Sequence, residues 1–283
     1  MFDGIIGNEK IKQELLQTIK SNKLSHSYLF LGTEGIGKKL IAKDFAKIVL
    51  NNNIQLDNNP DFEIVEPDGL SIKIDQIRKM QRKILEAPIK SEKKVYIIDD
   101  ADLMTMEAQN CLLKTLEEPP EFVMLILIGS IESNFLNTIK SRCTIIKFQE
   151  ISDEQIKKYL KDKYEINYLS ENMLQVFGGS IGRAERYKDK QDLYDSIFDI
   201  IQNIQNLDLI EFLKKSEKIY EHQSEKFEIL ENMNIGFFSK SKEDIRFLNC
   251  IDIIEDTKKR LIANGNFNIC IDNMLLKLWE ELH

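Results

Sequence analysis

The order of apolar and polar positions changes character about halfway along the chain. In the first half, short apolar runs alternate with stretches whose apolar residues recur at helical spacing, which predicts strands alternating with helices. The predicted strands are residues 28–31, 62–65, 93–98, 122–128 and 144–148, and the predicted helices are 8–20, 39–50, 74–85 and 105–118. In the second helix the predicted buried side is Leu40, Ile41, Phe45 and Ile48. This alternation predicts an α/β fold, a mostly parallel sheet with helices on both faces.

Beyond residue 149 the pattern becomes helical. Ser152 and Gln155 form a capping box that opens a helix, and no strand pattern follows it up to His283. A glycine-rich stretch at 178–182 ends one helix and begins another. We therefore predict three domains, at 1–149, 150–188 and 189–283, of which the last two are helical. The asparagine-rich residues 51–59 are predicted to form a surface loop.

The stretch after the first strand has the spacing of a phosphate-binding P-loop. Gly32, Gly35, Gly37 and Lys38 match the pattern of glycines followed by lysine. The glycines let backbone amides approach phosphate oxygens, the next helix adds its positive end, and the lysine reaches the outer phosphates. The last position of the motif, normally a Ser or Thr that binds Mg²⁺, is Lys39. The loop is predicted to hold phosphate but to be poorly equipped for metal-assisted hydrolysis.

A second stretch places carboxylates at the end of a buried strand. Asp99 and Asp100 follow the strand at 93–98, and Ser130 follows the strand at 122–128. Ligands of doubly wound sheets gather at the carboxyl ends of strands, so Asp99 would lie where a nucleotide-bound Mg²⁺ would sit. The alternative is that residues 99–102 cap the following helix. Together with the glycine loop, the sequence favours the nucleotide site.

Composition narrows the class of protein. The formal net charge is −8, which argues against a protein that grips nucleic acid by itself. The four cysteines are scattered, so we expect neither zinc nor disulfides and favour a reducing, cytoplasmic environment. The longest apolar run, 122–128, is too short to cross a bilayer, and we expect no membrane association.

The ordered set of motifs resembles the clamp-loader family of AAA+ ATPases, and within it the delta-prime-like branch of bacterial DNA polymerase III. The matching segments are residues 5–8, 26–30, 110–120, 138–143, 182–184 and 266–278. The segments Leu-Leu-Lys-Thr-Leu-Glu-Glu-Pro-Pro and Ser-Arg-Cys are the most diagnostic, because many nucleotide enzymes share the glycine loop. The match is dense from residue 5 to 183 and thin from 189 to 260.

This resemblance implies specific roles. Arg142, in the Ser-Arg-Cys motif, would be an arginine finger that reaches ATP on a neighbouring subunit, where a planar cation offsets charge on the transferred phosphoryl group. Spacing alone favours the alternative, in which Arg142 is an arginine at a helix end bonded to a local carboxylate. Arg183 would be the nucleotide-sensing arginine of a helical lid at 150–188, and residues 189–283 would form an oligomerisation collar. The implied partners are gamma/tau-like and delta-like subunits, the sliding clamp and primed DNA.

Two departures from the family pattern decide the expected role. Lys39 replaces the metal-binding hydroxyl, and Asp100 stands where motor subunits carry a water-activating Glu. The leading hypothesis is therefore a stator subunit of the clamp loader, within the DNA polymerase holoenzyme, with no polymerase activity, little or no ATPase activity, and ATP or ADP possible at a degenerate site. The alternatives are an ATP-hydrolysing motor subunit, a P-loop kinase of small molecules and, with least support, a stand-alone DNA-binding protein.

Overall fold

A computed structural model describes residues 2–50, 56–169, 171–188 and 191–283. Its strands are β1 (Ser27–Leu31), β2 (Phe62–Val65), β3 (Lys94–Ile98), β4 (Val123–Gly129) and β5 (Thr144–Lys147). Its first helices are α1 (Glu9–Lys20), α2 (Lys38–Val49), α3 (Ile74–Ile84), α4 (Met106–Glu117), α5 (Asn137–Lys140) and α6 (Asp153–Tyr164). The remaining helices are α7 (Glu171–Phe177), α8 (Ile181–Lys188), α9 (Gln191–Asn203), α10 (Leu209–Glu221), α11 (Lys226–Lys240), α12 (Phe247–Ile262) and α13 (Phe267–Leu282).

The five strands form one parallel sheet in the order β2-β3-β4-β1-β5. Every residue of β1, β3 and β4 is buried, because these central strands have helices on both faces. The edge strand β5 is largely exposed. The predicted parallel α/β fold is confirmed. The apolar runs predicted to be strands form the buried centre of the sheet.

The topology brings three strand ends to one edge. β4 lies between β1 and β3, and the register pairs Leu31 with Gly129 and Ile98 with Leu127. Because all strands are parallel, the residues that follow β1, β3 and β4 meet at the carboxyl edge of the sheet. This edge receives the glycine loop, Asp99 and Ser130.

Contacts divide the chain into two compact units. One comprises Met1–Ile156 and Ser180–Gly182, and the other comprises Lys157–Gly179 and Arg183–His283. The second unit is built from helices, with a core that includes Phe212, Phe237 and Leu278, each fully buried. The predicted division of this half into a lid and a collar stays a prediction, and its boundary at 188/189 falls beside residues 189 and 190, which lie outside the described part of the chain.

Two local predictions need correction. Leu40 is exposed over more than half of its surface, because the face of α2 that packs on the sheet carries Ile41, Ala42 and Phe45 together with the P-loop lysine Lys38. The loop at 51–59 is only partly described: residues 51–55 lie outside the described segments, Leu56–Asn58 form a 3₁₀ turn, and Asn59 is buried rather than on the surface.

Two other features concern the helices. The capping box at Ser152 is confirmed, since the Ser152 hydroxyl accepts from the Gln155 amide and the Gln155 side chain accepts from the Ser152 amide. Among the described helices, none combines the length and the apolar character that a membrane crossing requires.

Candidate functional site

The glycine loop adopts the geometry that its sequence predicts. Gly35 and Gly37 have φ of 77° and 92°, in the left-handed region that favours glycine, and α2 begins at the next residue, Lys38. Ile36 is buried between them and anchors the loop. A side chain at Gly32 would meet Ile36 and the backbone of Phe148 at about 3 Å, so the loop is closely packed there. The first turn of α2, which begins at Lys38 beside this edge, has backbone amides with no partner inside the helix.

Lys38 spans the loop and reaches the next strand end. Its ammonium donates to the carbonyl oxygens of Gly32 and Thr33 at 2.5 and 2.8 Å, and it lies 3.3 Å from the hydroxyl of Ser130. Burial lowers the pKa of Lys38, and the carboxylates of Asp102 and Asp100 oppose that shift. The structure thus brings together the loop glycines, Lys38 and Ser130, as the sequence predicts.

Lys39 bonds the strand-end aspartate. Its ammonium lies 2.7 Å from Oδ2 of Asp99 and 2.5 Å from Oε1 of Glu66. Burial would lower the pKa of Lys39, but the hydrogen bonds to Asp99 and Glu66 outweigh it and raise that pKa. The hydrogen bond from Lys39 in turn lowers the pKa of Glu66. Lys39 is therefore held as a cation at the position that the sequence assigns to a metal ligand.

Sequence reasoning missed Glu66. It directly follows β2, the strand that pairs with β3, and Val65 lies opposite Ile98. Asp99 directly follows β3, so the two carboxylates come to the same edge of the sheet. The signal that could have found Glu66 is its position immediately after a predicted strand. Its partner is Lys39, the extra lysine of the P-loop, whose positive charge stabilises the Glu66 carboxylate at this position.

The other carboxylates of this edge have separate roles. Asp100 has φ of 46°, and burial, together with the charges of Asp99 and Asp102, raises its pKa. Asp102, which the sequence analysis considers only as part of a helix cap, accepts a hydrogen bond from the backbone amide of Ile131 through Oδ2 at 3.0 Å. Helix α4 is capped by Thr105, whose hydroxyl accepts from the amide of Ala108. The alternative that residues 99–102 cap that helix is therefore wrong.

The residues at this edge do not fit Mg²⁺. The P-loop position that normally offers a hydroxyl offers an ammonium, and that ammonium already bonds the strand-end carboxylate Asp99. Mg²⁺ requires oxygen ligands in near-octahedral geometry. Within the described residues, no cluster of three or more His, Cys, Asp or Glu side chains could hold a metal ion. The site can offer ammonium groups and backbone amides to an anion.

Arg142 lies in the first unit, immediately after α5. Its guanidinium bonds Oε1 of Glu117 at 2.6 Å and the carbonyl oxygen of Thr138 at 2.9 Å. One third of the Arg142 side chain and half of the Glu117 side chain are exposed. The chain therefore shows the local carboxylate contact that spacing alone allows. An exposed pair of this kind contributes little stability, about 0–1 kcal/mol, so solvent or an anion can replace either partner.

Arg183 belongs to the second unit. It lies in the first turn of α8, and its guanidinium bonds Oε1 of Glu231 on α11 at 2.6 Å. Its side chain is mostly buried. The predicted role of Arg183 toward nucleotide stays a prediction.

The fold and this site define a class of protein. A parallel sheet with a glycine loop after β1, a strand-end aspartate after β3 and a polar residue after β4, followed by a helical half, is an AAA+ type P-loop architecture. A sequence model of the family described as "DNA polymerase III, delta subunit" matches residues 7–152, just over half of the chain. The chain belongs to this family, and the predicted clamp-loader resemblance is confirmed.

Individual relatives agree with the family match. The DNA polymerase III subunit delta' of Bacillus subtilis is 39% identical over 165 residues, which cover 53% of this chain and 50% of the relative. The DNA polymerase III subunit gamma of Buchnera aphidicola from Acyrthosiphon pisum is 36% identical over 174 residues, covering 56% and 48%. The chain thus spans about half the length of these curated relatives.

A solved structure extends the likeness to the whole fold. The crystal structure of a DNA polymerase III gamma subunit-related protein from Thermotoga maritima superposes with a TM-score of 0.61 over 97% of this chain and 99% of that one. The sequence identity is 18%, so this likeness concerns the fold alone. It covers both the sheet-containing half and the helical half.

Proposed function

We propose that this chain is a delta-prime-like stator subunit of a DNA polymerase III clamp loader. In this role it helps the ATP-driven loading of a sliding clamp onto primed DNA but does not itself hydrolyse ATP. Membership of the DNA polymerase III delta-subunit family over residues 7–152 supports the clamp-loader part of the proposal. The similarity to a relative named subunit delta' supports the choice of branch.

The observation that carries the stator role is the bond between Lys39 and Asp99. Hydrolysis in P-loop ATPases depends on a metal held by the loop hydroxyl and the strand-end aspartate. In this chain the loop residue is a cation, 2.7 Å from Oδ2 of that aspartate. The same two positions that would hold the metal therefore neutralise each other. A site built in this way lacks the group that offsets charge on the transferred phosphoryl oxygens.

Asp100 supports the same conclusion. It occupies the position where motor subunits of the family carry a glutamate that activates water. The aspartate side chain is shorter by one methylene, so its carboxylate reaches less far toward an attacking water than that of a glutamate would. Lys39 and Asp100 are therefore two changes in one site, and both favour a subunit that does not hydrolyse ATP.

The catalytic contribution of this subunit is Arg142, acting on the ATP of a neighbouring subunit. The guanidinium is partly exposed, and its partner Glu117 is half exposed, so exchanging Glu117 for a phosphate costs little. Arginine suits this task because it is always charged and offers a planar set of donors to phosphate oxygens. The partners proposed are gamma/tau-like and delta-like subunits, with the clamp and primed DNA reached through the complex.

The remaining assignments complete the proposal. Residues 150–188 act as a lid and 189–283 as a collar that packs against the same region of other subunits. To sense nucleotide, Arg183 has to exchange Glu231, which it bonds in this structure, for a phosphate. The site for ATP or ADP in this proposal consists of Gly32, Gly35, Gly37, Lys38 and Ser130.

Reconstitution tests this function. We expect the purified chain to be monomeric by light scattering, to hydrolyse no ATP, and to form one stoichiometric complex with gamma/tau-like and delta-like subunits of a bacterial loader. A gamma/tau-like subunit assayed alone is the positive control for hydrolysis. Turnover by the isolated chain at a rate comparable to that control contradicts the stator role. A stable homo-oligomer that refuses the other subunits contradicts the clamp-loader role.

One alternative has specific support. Relatives named gamma and tau are 30–36% identical to this chain over the matched residues, and Lys38 lies at the sheet edge, 3.3 Å from the hydroxyl of Ser130. In this case the chain is a motor subunit, and Lys39 leaves Asp99 when nucleotide and metal arrive. The same ATPase assay separates the two roles, because only a motor subunit hydrolyses ATP at its own P-loop.

A further inference from the structure

The ammonium of Lys39 is held by residues from three separate elements. Lys39 lies in the first turn of α2, Glu66 follows β2, and Asp99 follows β3. The ammonium contacts Glu66 at 2.5 Å and Asp99 at 2.7 Å, and these hydrogen bonds raise the pKa of Lys39 against the effect of burial. Asp99 is nearly buried, with 13% of its side chain exposed. The fold therefore fixes a positive charge between two carboxylates at the phosphate-binding edge.

A divalent cation would have to displace this ammonium. Mg²⁺ binds carboxylate oxygens at about 2.0–2.1 Å and takes one or two carboxylates plus the substrate phosphates. Oδ2 of Asp99 already accepts from Lys39, so a metal on that oxygen would lie within a few ångströms of a like charge. Moving Lys39 away would also break its hydrogen bond with Glu66. The ammonium of Lys39 thus opposes Mg²⁺ at Asp99 both by its like charge and by occupying the oxygen that would be the ligand.

A phosphate group faces the opposite situation. Lys38 and Lys39 are neighbours at the start of α2, and the first turn of that helix adds backbone amides and its positive end. These groups attract the oxygens of a polyphosphate without any metal between them. The charge they supply is smaller than that of a lysine with Mg²⁺, because Glu66 and Asp99 offset Lys39. Carboxylates also act on the charge of Lys38, those of Asp102, Asp100 and Glu34. Binding is therefore expected to be weaker than in a motor subunit.

We propose that the ammonium of Lys39 replaces Mg²⁺ in this P-loop, so that the site binds the phosphates of a nucleoside di- or triphosphate without a divalent cation. The inference rests on the proposed function only in that it takes the glycine loop as a nucleotide site of a subunit that does not hydrolyse ATP. Nucleotide bound in this way is a structural ligand, which stabilises the first unit and stays intact.

Calorimetric titration of the purified chain tests this proposal. ATP and ADP are titrated in buffer with EDTA and again with excess MgCl₂. We expect the wild-type dissociation constant to change by no more than about twofold between the two buffers. Wild-type affinity that rises about tenfold or more with Mg²⁺ overturns the proposal. Failure to bind either nucleotide in both buffers overturns it as well.

Variants assign the effect to Lys39. Lys39→Thr restores the metal-binding hydroxyl, so its metal-free affinity should fall about tenfold and Mg²⁺ should recover that loss. Lys39→Arg keeps the charge, so its affinity for nucleotide should stay independent of Mg²⁺. This variant still tests the proposal if the threonine variant fails to fold. Lys47→Thr removes an exposed lysine from the same helix and should titrate like wild type. A threonine variant that binds without Mg²⁺ as tightly as wild type contradicts the role of Lys39.

These results are separable from the fate of the proposed function. Assembly with gamma/tau-like and delta-like subunits is measured by light scattering without nucleotide. A chain that assembles but binds no nucleotide refutes the cation replacement and leaves the stator role intact. A chain that binds ATP independently of Mg²⁺ but joins no loader refutes the clamp-loader function and leaves the cation replacement standing.

Discussion

Replacing Gly35 by alanine tests whether the glycine loop is packed as the structure describes. Gly35 has φ of 77°, and the amide of Gly182 donates to its carbonyl oxygen at 2.9 Å. A Cβ atom at this position would lie 2.3 Å from the hydroxyl of the buried Ser180 and 3.1 Å from the Cα atom of Gly182. The hydroxyl can rotate away, but the backbone of Gly182 cannot. The substitution therefore combines backbone strain with overpacking.

The two contributions can be separated within this chain. Placing a non-glycine residue in the left-handed region costs about 1–2 kcal/mol, and overpacking typically adds about 1–3 kcal/mol. Gly69 has φ of 73° and nothing within 4 Å of its hypothetical Cβ, so Gly69→Ala isolates the strain. At Gly182, in the first turn of α8, that Cβ would lie 2.9 Å from Cα of Gly35 without a positive φ. Gly182→Ala therefore adds overpacking without strain, reduced by the gain in helix propensity, which is at most about 1 kcal/mol. We expect Gly35→Ala to cost about 2–5 kcal/mol, more than either control.

Urea denaturation followed by circular dichroism gives these free energies of unfolding. Hydrogen exchange of the peptide that contains the Gly182 amide gives a local measure, because that amide is protected by the carbonyl of Gly35. We expect faster exchange in Gly35→Ala and unchanged exchange in Gly69→Ala. Equal destabilisation by both substitutions, with no change in exchange, would show that the glycine loop does not pack on residues 180–182 in solution.

Two further predictions concern the two units separately. Asp61→Ala should lower the free energy of unfolding, measured by urea denaturation, by at least about 3 kcal/mol, because the Asp61 carboxylate accepts hydrogen bonds from the three backbone amides of residues 89–91. The control is Asp75→Ala, which removes an exposed carboxylate and should change that free energy by no more than about 0.5 kcal/mol. Burial would raise the pKa of Asp61, but its hydrogen bonds from these amides outweigh that effect and lower the pKa. The resulting stabilisation is therefore present above about pH 4 and is lost as the pH falls through the pKa of Asp61 in the folded protein. Asp61→Ala should lack this loss of stability in acid. In the helical unit, Phe237→Ala should lower the free energy of unfolding by about 3–5 kcal/mol, because the Phe237 ring is fully buried. The neighbouring Phe238 is exposed, so Phe238→Ala should lower it by less than about 1 kcal/mol. Similar losses for the two variants would contradict the described core.

The order of strands and helices could be predicted from the sequence because burial in this sheet is extreme. β1, β3 and β4 are buried on both faces, so they appear as continuous apolar runs with glycine or carboxylates at their ends. The strand ends then identify the site edge without further information. Helix α2 shows the limit of this reasoning, because Leu40 lies on its exposed side while the polar Lys38 is buried by the glycine loop.

The contacts within the site could be predicted only in part. Lys38 and Ser130 meet because the parallel topology brings their strand ends together; the P-loop motif predicts Lys38, and the position after a buried strand predicts Ser130. Glu66 belongs to no motif, and its bond to Lys39 depends on which strand lies beside β3, which the sequence pattern leaves open. The partner of Arg142 likewise depends on how α4 and α5 pack. Such contacts between side chains distant in sequence require the three-dimensional structure.

The most direct test of the central claim is the activity of a reconstituted clamp loader that carries Arg142→Ala in this chain. ATPase turnover and clamp loading are measured with clamp and primed DNA. The matched control is Lys140→Ala, which removes one positive charge from the adjacent helix α5. An arginine finger is worth about 10³–10⁵ in rate at its own site. Because the other sites keep their fingers, we predict a partial fall in total turnover, a sharp fall in loading, and no effect of Lys140→Ala. Unchanged turnover and loading with Arg142→Ala would contradict the account, since the arginine would then serve only its contact with Glu117.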